Sequence, residues 1–509
     1  MDRRSFIKLS GVSAAAFCMQ GCAATSMSKL SKARGSKPNI VYIMADDLGY
    51  SELGCYGQEK IKTPNIDRIA KQGVKFTQHY SGSPVCAPTR STLLEGKHTG
   101  HSFVRSNYEL GGWERGNREG QLPLPADTVT LPKLLKKAGY TTGAMGKWGL
   151  GGPDTSGEPH KQGFDYFYGY LCQRQAHNYY PTHLWKDSAA GLEKVELDNE
   201  YFSAHQRFPK DKNPNDPENY EQYSGNDYAP DLMTEEALKF VKRNKDNPFF
   251  LYLPYTIPHV ALQVPEDSLE QYEGMEDDPY LGDQAYLPNR TPHATYAAMI
   301  TRMDDYVGKV MDLLEKLGLE ENTLIMFSSD NGTTFNGGCD ADFFDSVEPL
   351  RGLKCSVYEG GIRVPLVAKW PGRIPAGTTT DHISAIWDVL PTCTAAAGAP
   401  TPDDISGISM LPTMLSKDEK QKKHEYLYWE YNRQIAVRMG KWKAVRRRTD
   451  KTVDTPIKLY NLEKDIDESD NVADKHPEVV AKIKKIMKEA HTPSEYFPFP
   501  GEPRKKWTE

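Results

Sequence analysis

Short apolar runs recur along the chain between residues 37 and 400, and each is followed by polar or glycine-rich residues. The runs 39–44, 249–253 and 323–327 are built mainly from branched, aromatic and other apolar side chains. Continuous runs of this length are typical of strands that are buried on both faces of a mostly parallel sheet. The pattern therefore predicts a large sheet at the centre of the protein.

Helical patterns lie between the predicted strands. In 130–138 and 297–317 apolar residues recur at intervals of three and four, and Gly318 follows the second segment as a helix-ending residue. The region 151–290 is rich in Pro, Asn, Asp and Tyr, which indicates long loops over one face of the sheet. We predict an α/β fold for 37–400, with a mostly parallel or mixed central sheet flanked by helices.

The last part of the chain follows a different pattern. Three alternating segments at 426–431, 434–438 and 442–445 are separated by turn residues and predict an antiparallel meander. An amphipathic segment at 477–490 predicts a closing helix. Residues 401–509 are therefore predicted to form a smaller α+β subdomain.

The N-terminus has the composition of a targeting segment. Arg3 and Arg4 precede a weakly apolar stretch at 9–19 that is too short to span a bilayer, and Cys22 follows a glycine. This order resembles a twin-arginine export signal with a lipoprotein-type cleavage site, which predicts removal of 1–22 and lipidation at Cys22. We expect an exported protein of a Gram-negative bacterium, periplasmic or held at the outer membrane only by that lipid anchor. A frayed tail is the alternative.

Charge and cysteine content narrow the classes of function. The formal net charge of -6 and the sequence pI near 6.2 argue against a nucleic-acid-binding protein, whose domain normally carries a basic face. Beyond the N-terminal segment no two cysteines are closely spaced, so neither a zinc site nor a dense disulfide framework is indicated. These cysteines are Cys55, Cys86, Cys172, Cys339, Cys355 and Cys393.

Polar side chains that could bind a metal ion or take part in catalysis follow the three apolar runs. Asp46 and Asp47 follow the first run, His259 follows the second, and Asp330 and Asn331 follow the third. Ligands bind at the carboxyl ends of strands in open α/β sheets, so we expect these three ends to converge on one site. Adjacent carboxylates need a neutralising partner, and this all-oxygen set suits Ca²⁺ or Mg²⁺. A turn or a helix cap is the alternative for the Asp pair taken alone.

The segment 83–96 contains a reactive residue type in a favourable place. Cys86, Pro88 and Arg90 alternate just before a predicted helix. A helix N-terminus and a cation both favour an anion. From the residues alone we therefore predict a thiolate nucleophile, because a thiol pKa falls beside Arg and a helix start. A buried structural cysteine is the alternative.

The same segment resembles the signature of the type I, formylglycine-dependent sulfatases of the alkaline phosphatase superfamily, Cys-x-Pro-x-Arg before a helix with Leu and Gly. The resemblance runs from about residue 37 to the C-terminal helix. It implies an arylsulfatase-like sulfuric ester hydrolase in which a sulfatase-maturing enzyme oxidises Cys86 to formylglycine (3-oxoalanine). The hydrated aldehyde would attack sulfur with one oxygen, and the other would later help to expel sulfate.

The resemblance also implies roles for the other residues. It assigns Asp46, Asp47, Asp330, Asn331 and residue 86 as ligands of one Ca²⁺ ion. It assigns Lys147 and Lys354 as sulfate-binding cations, Arg90 as an electrostatic stabiliser and His259 as the proton donor to the leaving oxygen. Asp330 is also a candidate acceptor for the proton of the attacking hydroxyl.

Two positions depart from the family pattern. Gly149 stands where many relatives have a histidine that assists collapse of the sulfated diol. His98, His101 and His177 are candidates for its replacement, and the sequence does not choose among them. Glu95 stands where Thr is common, and we expect only a local effect on the helix.

The aromatic and histidine-rich stretch 175–185 suggests a carbohydrate partner. Rings stack on sugar faces, so we predict a sulfated polysaccharide or oligosaccharide substrate, with His177 among the binding residues and an aryl sulfate as an artificial substrate. An aromatic loop packed on its own domain is the alternative. A phosphate or phosphonate monoester hydrolase, a non-catalytic surface glycan-binding protein, and a sulfatase left unmodified at Cys86 remain open.

Overall fold

Ten of the twelve described strands of the larger domain form one mixed sheet, and the other two pair separately. The computed structural model describes residues 37–110, 119–188, 191–275, 277–447 and 455–506, so the predicted export signal and Cys22 lie outside the described residues. The strands are β1 (Asn39–Asp46), β2 (Val74–Phe76), β3 (His79–Tyr80), β4 (Thr141–Lys147), β5 (Tyr166–Tyr170), β6 (His183–Ser188), β7 (Gly191–Glu196), β8 (Phe249–Pro258), β9 (Thr323–Ser329), β10 (Leu366–Lys369), β11 (Thr378–Thr380) and β12 (Ser384–Ala385).

The order across the large sheet is β11-β2-β10-β9-β1-β8-β4-β5-β6-β7, while β3 and β12 pair separately. The five central strands β9, β1, β8, β4 and β5 are parallel, and antiparallel strands β10, β6 and β7 extend the sheet on both sides. The predicted mostly parallel or mixed sheet is confirmed. The carboxyl ends of its parallel strands meet along one edge.

Helices cover both faces of this sheet. In β1, Val41 and Ile43 pack into one core cluster, and Ile40, Tyr42 and Met44 pack into the other. Burial on both faces explains why this strand has no polar alternation. The helices are α1 (Pro64–Gln72), α2 (Cys86–Glu95), α3 (Leu131–Lys137), α4 (Ala229–Arg243), α5 (Pro292–Lys316), α6 (Glu359–Ile362), α7 (Val389–Ala397) and α8 (Leu411–Met414).

The description of 151–290 as loops is wrong in part, because this region contributes strands β5 to β7 and helix α4 besides the predicted strand β8. Pro230 lies in the first turn of α4, where its missing N–H breaks no hydrogen bond of the helix. Proline content therefore marked the start of a helix rather than a loop. No helix within the described ranges is long and apolar enough to span a membrane.

The C-terminal part is an antiparallel sheet with one long helix, as predicted. Its strands are β13 (Leu427–Tyr431), β14 (Gln434–Met439), β15 (Trp442–Arg447) and β16 (Lys458–Asn461), and its helix is α9 (Pro477–Glu489). Helix α9 covers one face through Ile483 and Met487. The other face packs on the larger domain, where Trp429 meets Tyr80 and Trp387. This contact brings the β13–β14 turn towards the carboxyl edge of the large sheet.

Candidate active site

Four neighbouring strands deliver the predicted site residues to one place. Asp46 ends β1, Lys147 ends β4, His259 follows β8 and Asp330 follows β9. These strands are parallel and adjacent in the order β9-β1-β8-β4. The predicted convergence of strand ends is confirmed.

The acidic and amide side chains form a tight group. Asp47 adopts a left-handed backbone conformation with φ 66°, which Asp tolerates, and its N–H donates to Asp330 Oδ1 over 3.1 Å. Asn331 Nδ2 donates to Asp47 Oδ1 over 2.7 Å. Asp46 Oδ1 and Asn331 Oδ1 are buried and have no hydrogen-bond partner among the described residues. Two buried oxygen acceptors are thus left without a donor.

Three cations surround these carboxylates. Lys147 Nζ lies 2.6 Å from Asp46 Oδ2, and Lys354 Nζ lies 2.7 Å from Asp47 Oδ2. Arg90 Nη2 lies 2.9 Å from Asp330 Oδ2 and 3.4 Å from Asp46 Oδ2. The Arg90 side chain is 1% exposed, so its charge is directed into the site rather than into water. We call these six residues the catalytic charge cluster: Asp46, Asp47, Arg90, Lys147, Asp330 and Lys354.

The carboxylates of this cluster differ in acidity. Burial opposes ionisation of Asp46, but the charges of Lys147 and Arg90 outweigh it and hold its pKa below the usual value. Burial and the neighbouring Asp46 carboxylate raise the pKa of Asp330 to about 7. Like charges held this close need a further cation if all are to ionise.

The residues fit a hard metal ion. Asp46, Asp47, Cys86 and His259 each offer one ligand atom, and these atoms all lie within 4.8 Å of one another. The unpartnered oxygens of Asp46 and Asn331 are the acceptors that such an ion would satisfy. The predicted ligands are therefore brought together, with Asp330 bonded to the same group.

Cys86 begins helix α2 and is 2% exposed. The next amide, Ala87 N–H, donates to Asn107 Oδ1 over 3.1 Å. Burial raises the pKa of the Cys86 thiol to about 12, although the charges of Lys147 and Lys354 act in the opposite direction. The prediction of a thiolate nucleophile is wrong for this thiol, because loss of hydration outweighs the nearby cations.

His259 contacts Lys354 and its own loop. Its Nε2 lies 2.9 Å from Lys354 Nζ, and its Nδ1 lies 2.5 Å from the Val260 carbonyl oxygen. A carbonyl only accepts and an ammonium only donates, so the proton belongs on Nδ1 and Nε2 accepts. Burial, then the charge of Lys354, lowers the pKa of His259 to about 4. His259 is therefore neutral with its free electron pair in the site.

A second histidine lies against the first. The ring of His177 stacks on His259 with centroids 4.7 Å apart, and its Nδ1 lies 3.1 Å from His205 Nε2. Tyr286 packs beside both His177 and His205 at centroid distances of 5.2 and 4.8 Å. His177 is thus placed at the site as predicted, while His205 and Tyr286 were missed because no motif marks them.

Comparison with known proteins decides the family. A model of the sulfatase family matches residues 38–399, and a model of the N-sulphoglucosamine sulphohydrolase C-terminal region matches 353–493. This chain belongs to the sulfatase family, within the alkaline phosphatase superfamily. The enzyme is accordingly a sulfuric ester hydrolase.

Curated relatives and solved structures agree. The chain is 32% identical over 448 residues to human steryl-sulfatase, covering 77% of this chain and 72% of the relative. It is 29% identical over 512 residues to N-acetylgalactosamine-6-O-sulfatase of Bacteroides thetaiotaomicron, covering 90% and 93%. A crystal structure of Ps i-CgsB in complex with k-i-k-neocarrahexaose aligns with TM-score 0.70 and 29% identity, covering 89% and 93%.

Gly149 of this sulfatase has no room for a side chain. Its φ is +80°, and a Cβ there would lie 2.5 Å from Cγ and Nε2 of Gln173. Gln173 is 3% exposed, and its buried Nε2 has no hydrogen-bond partner within the described ranges. Gln173 follows β5, the strand next to β4, and its amide therefore occupies the space beside position 149. The sequence did not predict this contact.

The other candidates for the absent histidine divide into two groups. His98 packs against His101 with the rings tilted, and it also contacts Trp387 and Tyr428. These contacts lie towards the C-terminal sheet, whereas His177 lies against His259. His177 is therefore the candidate that the sulfatase fold brings to the site.

Glu95, the second departure from the family pattern, contacts residues near the end of its own helix. It is buried and accepts hydrogen bonds from Ser91 Oγ and from the Phe103 N–H. These bonds join the end of α2 to the next loop. Burial raises the pKa of Glu95 despite them.

The loop that carries Lys354 is fixed by two other parts of the chain. Cys355 N–H donates to the Pro84 carbonyl over 2.9 Å, which joins this loop to the Cys86 segment. Gln434 Nε2 donates to the Cys355 carbonyl over 2.9 Å. The C-terminal sheet thus helps to position a cation of the active site.

Proposed function

We propose that this sulfatase hydrolyses a sulfate ester of a carbohydrate through a formylglycine made from Cys86 and one bound Ca²⁺ ion. The observation that carries the proposal is the position of Cys86 at a helix start, within 4.8 Å of ligand atoms of Asp46, Asp47 and His259. A buried thiol with a raised pKa is a poor nucleophile, so conversion of this side chain accounts for its place among so many charges.

Asp46, Asp47, Asp330 and Asn331 would hold the ion. Their oxygens are the hard ligands that Ca²⁺ prefers, and two of these oxygens have no hydrogen-bond partner in the described segments. When bound, the ion supplies positive charge beside the sulfate oxygens and the side chain of residue 86. Arg90 holds Asp46 and Asp330 in place through its fork of donors.

The aldehyde of a formylglycine, once hydrated, carries two hydroxyls on one carbon, one for attack on sulfur and one for later release of sulfate. The protein positions this side chain through the first turn of α2. Asn107 accepts from the Ala87 amide and so fixes the turn beside residue 86. Attack is then directed from a rigid backbone.

Lys147 and Lys354 bind the sulfate oxygens. Both ammonium groups lie in the site, next to Asp46 and Asp47 respectively. Negative charge on these oxygens grows as sulfur becomes five-coordinate, and buried cations stabilise that charge more strongly than exposed ones do. Both lysines therefore act on the transition state as well as on binding.

His259 supplies the proton to the leaving oxygen. In the structure its Nε2 accepts from Lys354, which places a proton donor directly beside it. A bound sulfate ester brings negative charge to both groups and favours the imidazolium form. The Nε2–H can then donate to the departing alcohol oxygen, with Lys354 still close enough to stabilise the neutral ring that remains.

A carbohydrate substrate is supported by the polar surroundings and by the relatives. His177, His205 and Tyr286 present ring faces and hydrogen-bonding groups beside His259. One relative is named for an N-acetylgalactosamine sulfate, and one structural neighbour was solved with a neocarrahexaose. Another relative is a steryl-sulfatase, but an apolar sterol would leave these polar groups unpaired.

Location and maturation complete the proposal. The residues of the N-terminal signal predict export and lipidation at Cys22, and formation of formylglycine requires a sulfatase-maturing enzyme in the producing cell. Metabolic labelling with a fatty acid, compared between the native chain and a Cys22→Ala variant, tests the anchor.

Mass spectrometry of the peptide that contains Cys86 tests the nucleophile. Protein from its native host should carry an aldehyde at this position and hydrolyse 4-nitrophenyl sulfate much faster than 4-nitrophenyl phosphate. A Cys86→Ala variant should fold with the same melting temperature and lose activity. An active preparation with an unmodified thiol would falsify the proposed nucleophile.

Removal of the ion tests the metal. Dialysis against a chelator should lower the melting temperature, because an ion bound only by the folded state stabilises it, and added Ca²⁺ should restore the temperature. An Asp46→Asn variant is the control, since its melting temperature should no longer respond to Ca²⁺. Equal melting curves with and without Ca²⁺ in the native chain would rule out a tightly bound ion.

A further inference from the structure

Tyr286 lies against the active site, and none of the steps proposed for sulfate release uses its hydroxyl. It belongs to the loop between β8 and α5. Its ring centroid lies 6.0 Å from that of His259 and 5.2 Å from that of His177, and both contacts are edge-to-face. Edge-to-face is a favoured arrangement of aromatic rings. The Tyr286 ring therefore forms a wall of the site beside the proton donor His259.

The loop that carries Tyr286 is held by its own contacts. Tyr280 and Asn289 exchange two backbone hydrogen bonds, of 2.8 and 2.9 Å, which close the loop. Tyr280 Oη accepts from the Gln284 N–H over 3.1 Å and donates to the Ala285 carbonyl over 2.5 Å. The backbone just before Tyr286 is thus fixed on both sides of the Tyr280 hydroxyl.

The backbone at Ala285 and Tyr286 has an unusual conformation. Their φ angles are 63° and 71°, in the left-handed region, which a bulky residue such as Tyr rarely adopts. Residues in such conformations persist only where the surrounding structure holds them, and they cluster at ligand-binding sites. The chain therefore accepts an unfavourable backbone conformation at the residue that brings an aromatic ring to the active site.

The Tyr286 hydroxyl is available as a hydrogen-bond donor. Within the described ranges no residue forms a hydrogen bond with it. The hydroxyl oxygen is unbonded but not fully enclosed, so a ligand can reach it. Burial raises the pKa of Tyr286, and the charge of Lys354 opposes that rise more strongly than any other group does. The phenol is therefore neutral near neutral pH, and its O–H lies close enough to Lys354 to be affected by that charge.

His259 and Lys354 indicate which part of a substrate this hydroxyl would contact. Lys354 Nζ lies 2.9 Å from His259 Nε2, and in the proposed function His259 donates to the leaving oxygen. Tyr286 flanks the same two residues, so its O–H lies on the side of the alcohol that departs. On a sugar ring, the group closest to the ester oxygen of a ring sulfate is the hydroxyl of the next carbon.

We propose that Tyr286 is a specificity-determining residue, and that its hydroxyl donates a hydrogen bond to a hydroxyl group on the carbon next to the sulfated carbon. The inference rests on the proposed function, because it takes His259 as the donor to the leaving oxygen. It narrows the substrate to a sugar whose sulfate lies beside a free hydroxyl group. A site built to bond a hydroxyl discriminates against an analogue without one, since its polar group is then left unpaired.

The test uses two aryl sulfates that differ by one hydroxyl. In 2-hydroxyphenyl sulfate the hydroxyl is on the carbon next to the sulfate ester, and phenyl sulfate lacks it. The measurement is the ratio of kcat/KM for the first probe to kcat/KM for the second, from the rate of sulfate release. In Tyr286→Phe, which keeps the ring and loses the hydroxyl, this ratio should fall roughly tenfold below the native ratio because one hydrogen bond is lost.

The control is Tyr426→Phe, the same change at a partly buried tyrosine of the C-terminal part, which should leave the ratio unchanged. Equal loss of kcat/KM for both probes in Tyr286→Phe, or an unchanged ratio, overturns the inference, because the ring would then act by packing alone. A native enzyme that releases sulfate from neither probe overturns the proposed function and this inference with it. An unchanged ratio in an active enzyme overturns the inference alone.

Discussion

Two buried groups of charges in this sulfatase have similar composition and different positions in the fold. One is the catalytic charge cluster. The other, which we call the interdomain charge cluster, joins the C-terminal sheet to the larger domain. There Lys443 Nζ lies 2.8 Å from Glu359 Oε1, and Arg363 lies 3.4 Å from Glu359 Oε2. The members of the interdomain charge cluster are Glu359, Arg363, Arg438, Lys443 and Glu468.

The electrostatics of the two clusters are alike. Three cations surround Glu359 and lower its pKa, although burial opposes ionisation. Each cluster also holds one carboxyl with a raised pKa, Asp330 beside Asp46 and Glu468 beside Glu359, and one buried carboxylate oxygen without a hydrogen-bond partner among the described residues. The difference lies in position, because the catalytic charge cluster sits at the strand ends with Cys86 and His259 against it, whereas the interdomain charge cluster joins two parts of the chain.

The largest expected effect is loss of activity in Lys147→Met. Loss of a buried cation that stabilises transition-state charge costs about 10²–10³-fold in kcat. Asp46 keeps Arg90 at 3.4 Å, so the fold should persist. Kinetics with 4-nitrophenyl sulfate measure the activity, and circular dichroism shows whether the variant is folded. Retained activity would show that the catalytic charge cluster, like the interdomain charge cluster, serves only to stabilise the fold.

Lys443→Met should have the opposite effect to Lys147→Met, with stability lowered and activity kept. Lys443 is fully buried between Glu359 and Glu468, and its loss leaves two carboxylates facing each other. Breaking a buried ion pair costs about 3 kcal/mol or more of unfolding free energy. Urea unfolding should show that loss, while kcat per folded molecule stays near the native value. A large fall in kcat without loss of stability would contradict the contrast between the clusters.

Glu468→Gln tests the pH response of the interdomain charge cluster. Burial raises the pKa of Glu468 to about 7, with Glu359 adding to the rise and Lys443 opposing it. An acid whose pKa is higher in the folded protein loses stability as pH rises from its unfolded value through the folded one. The native chain should therefore lose on the order of 2 kcal/mol between about pH 5 and pH 8 through this group.

The Gln variant cannot ionise, so its melting temperature should exceed that of the native chain at pH 8 and approach it at pH 5. Melting curves at both pH values give the measurement. A constant difference between variant and native chain at the two pH values would show that Glu468 does not titrate in this range.

Sequence patterns predicted the strands that carry the site residues. They did not predict properties that depend on distant parts of the chain, such as the burial of a side chain. The runs at β1, β8 and β9 are continuous because both faces are buried, so their ends and the polar residues after them were visible. The thiolate at Cys86 was predicted wrongly, because burial depends on the whole fold and not on the adjacent Arg90. Contacts that bridge distant segments, such as Gln434 to Cys355, leave no local pattern.

Gln173 illustrates this limit most clearly, because its role depends on Gly149, a residue 24 positions earlier in the chain. Gln173→Met keeps the volume beside position 149 and removes the buried Nε2 donor, which has no partner in the part of the chain that the structure describes. If that amide donates to an oxygen of the sulfate ester, kcat/KM should fall roughly tenfold, the smallest effect predicted here.

An amide donates a hydrogen bond but does not exchange protons near neutral pH, so the pH dependence of kcat should be unchanged in Gln173→Met. A His177→Gln variant is the matched comparison, because loss of a base would alter that profile. A shifted profile in His177→Gln alone would assign the replacement of the absent histidine to His177 and leave Gln173 as a binding residue. Unaltered kinetics in Gln173→Met would show that its amide only fills space beside Gly149.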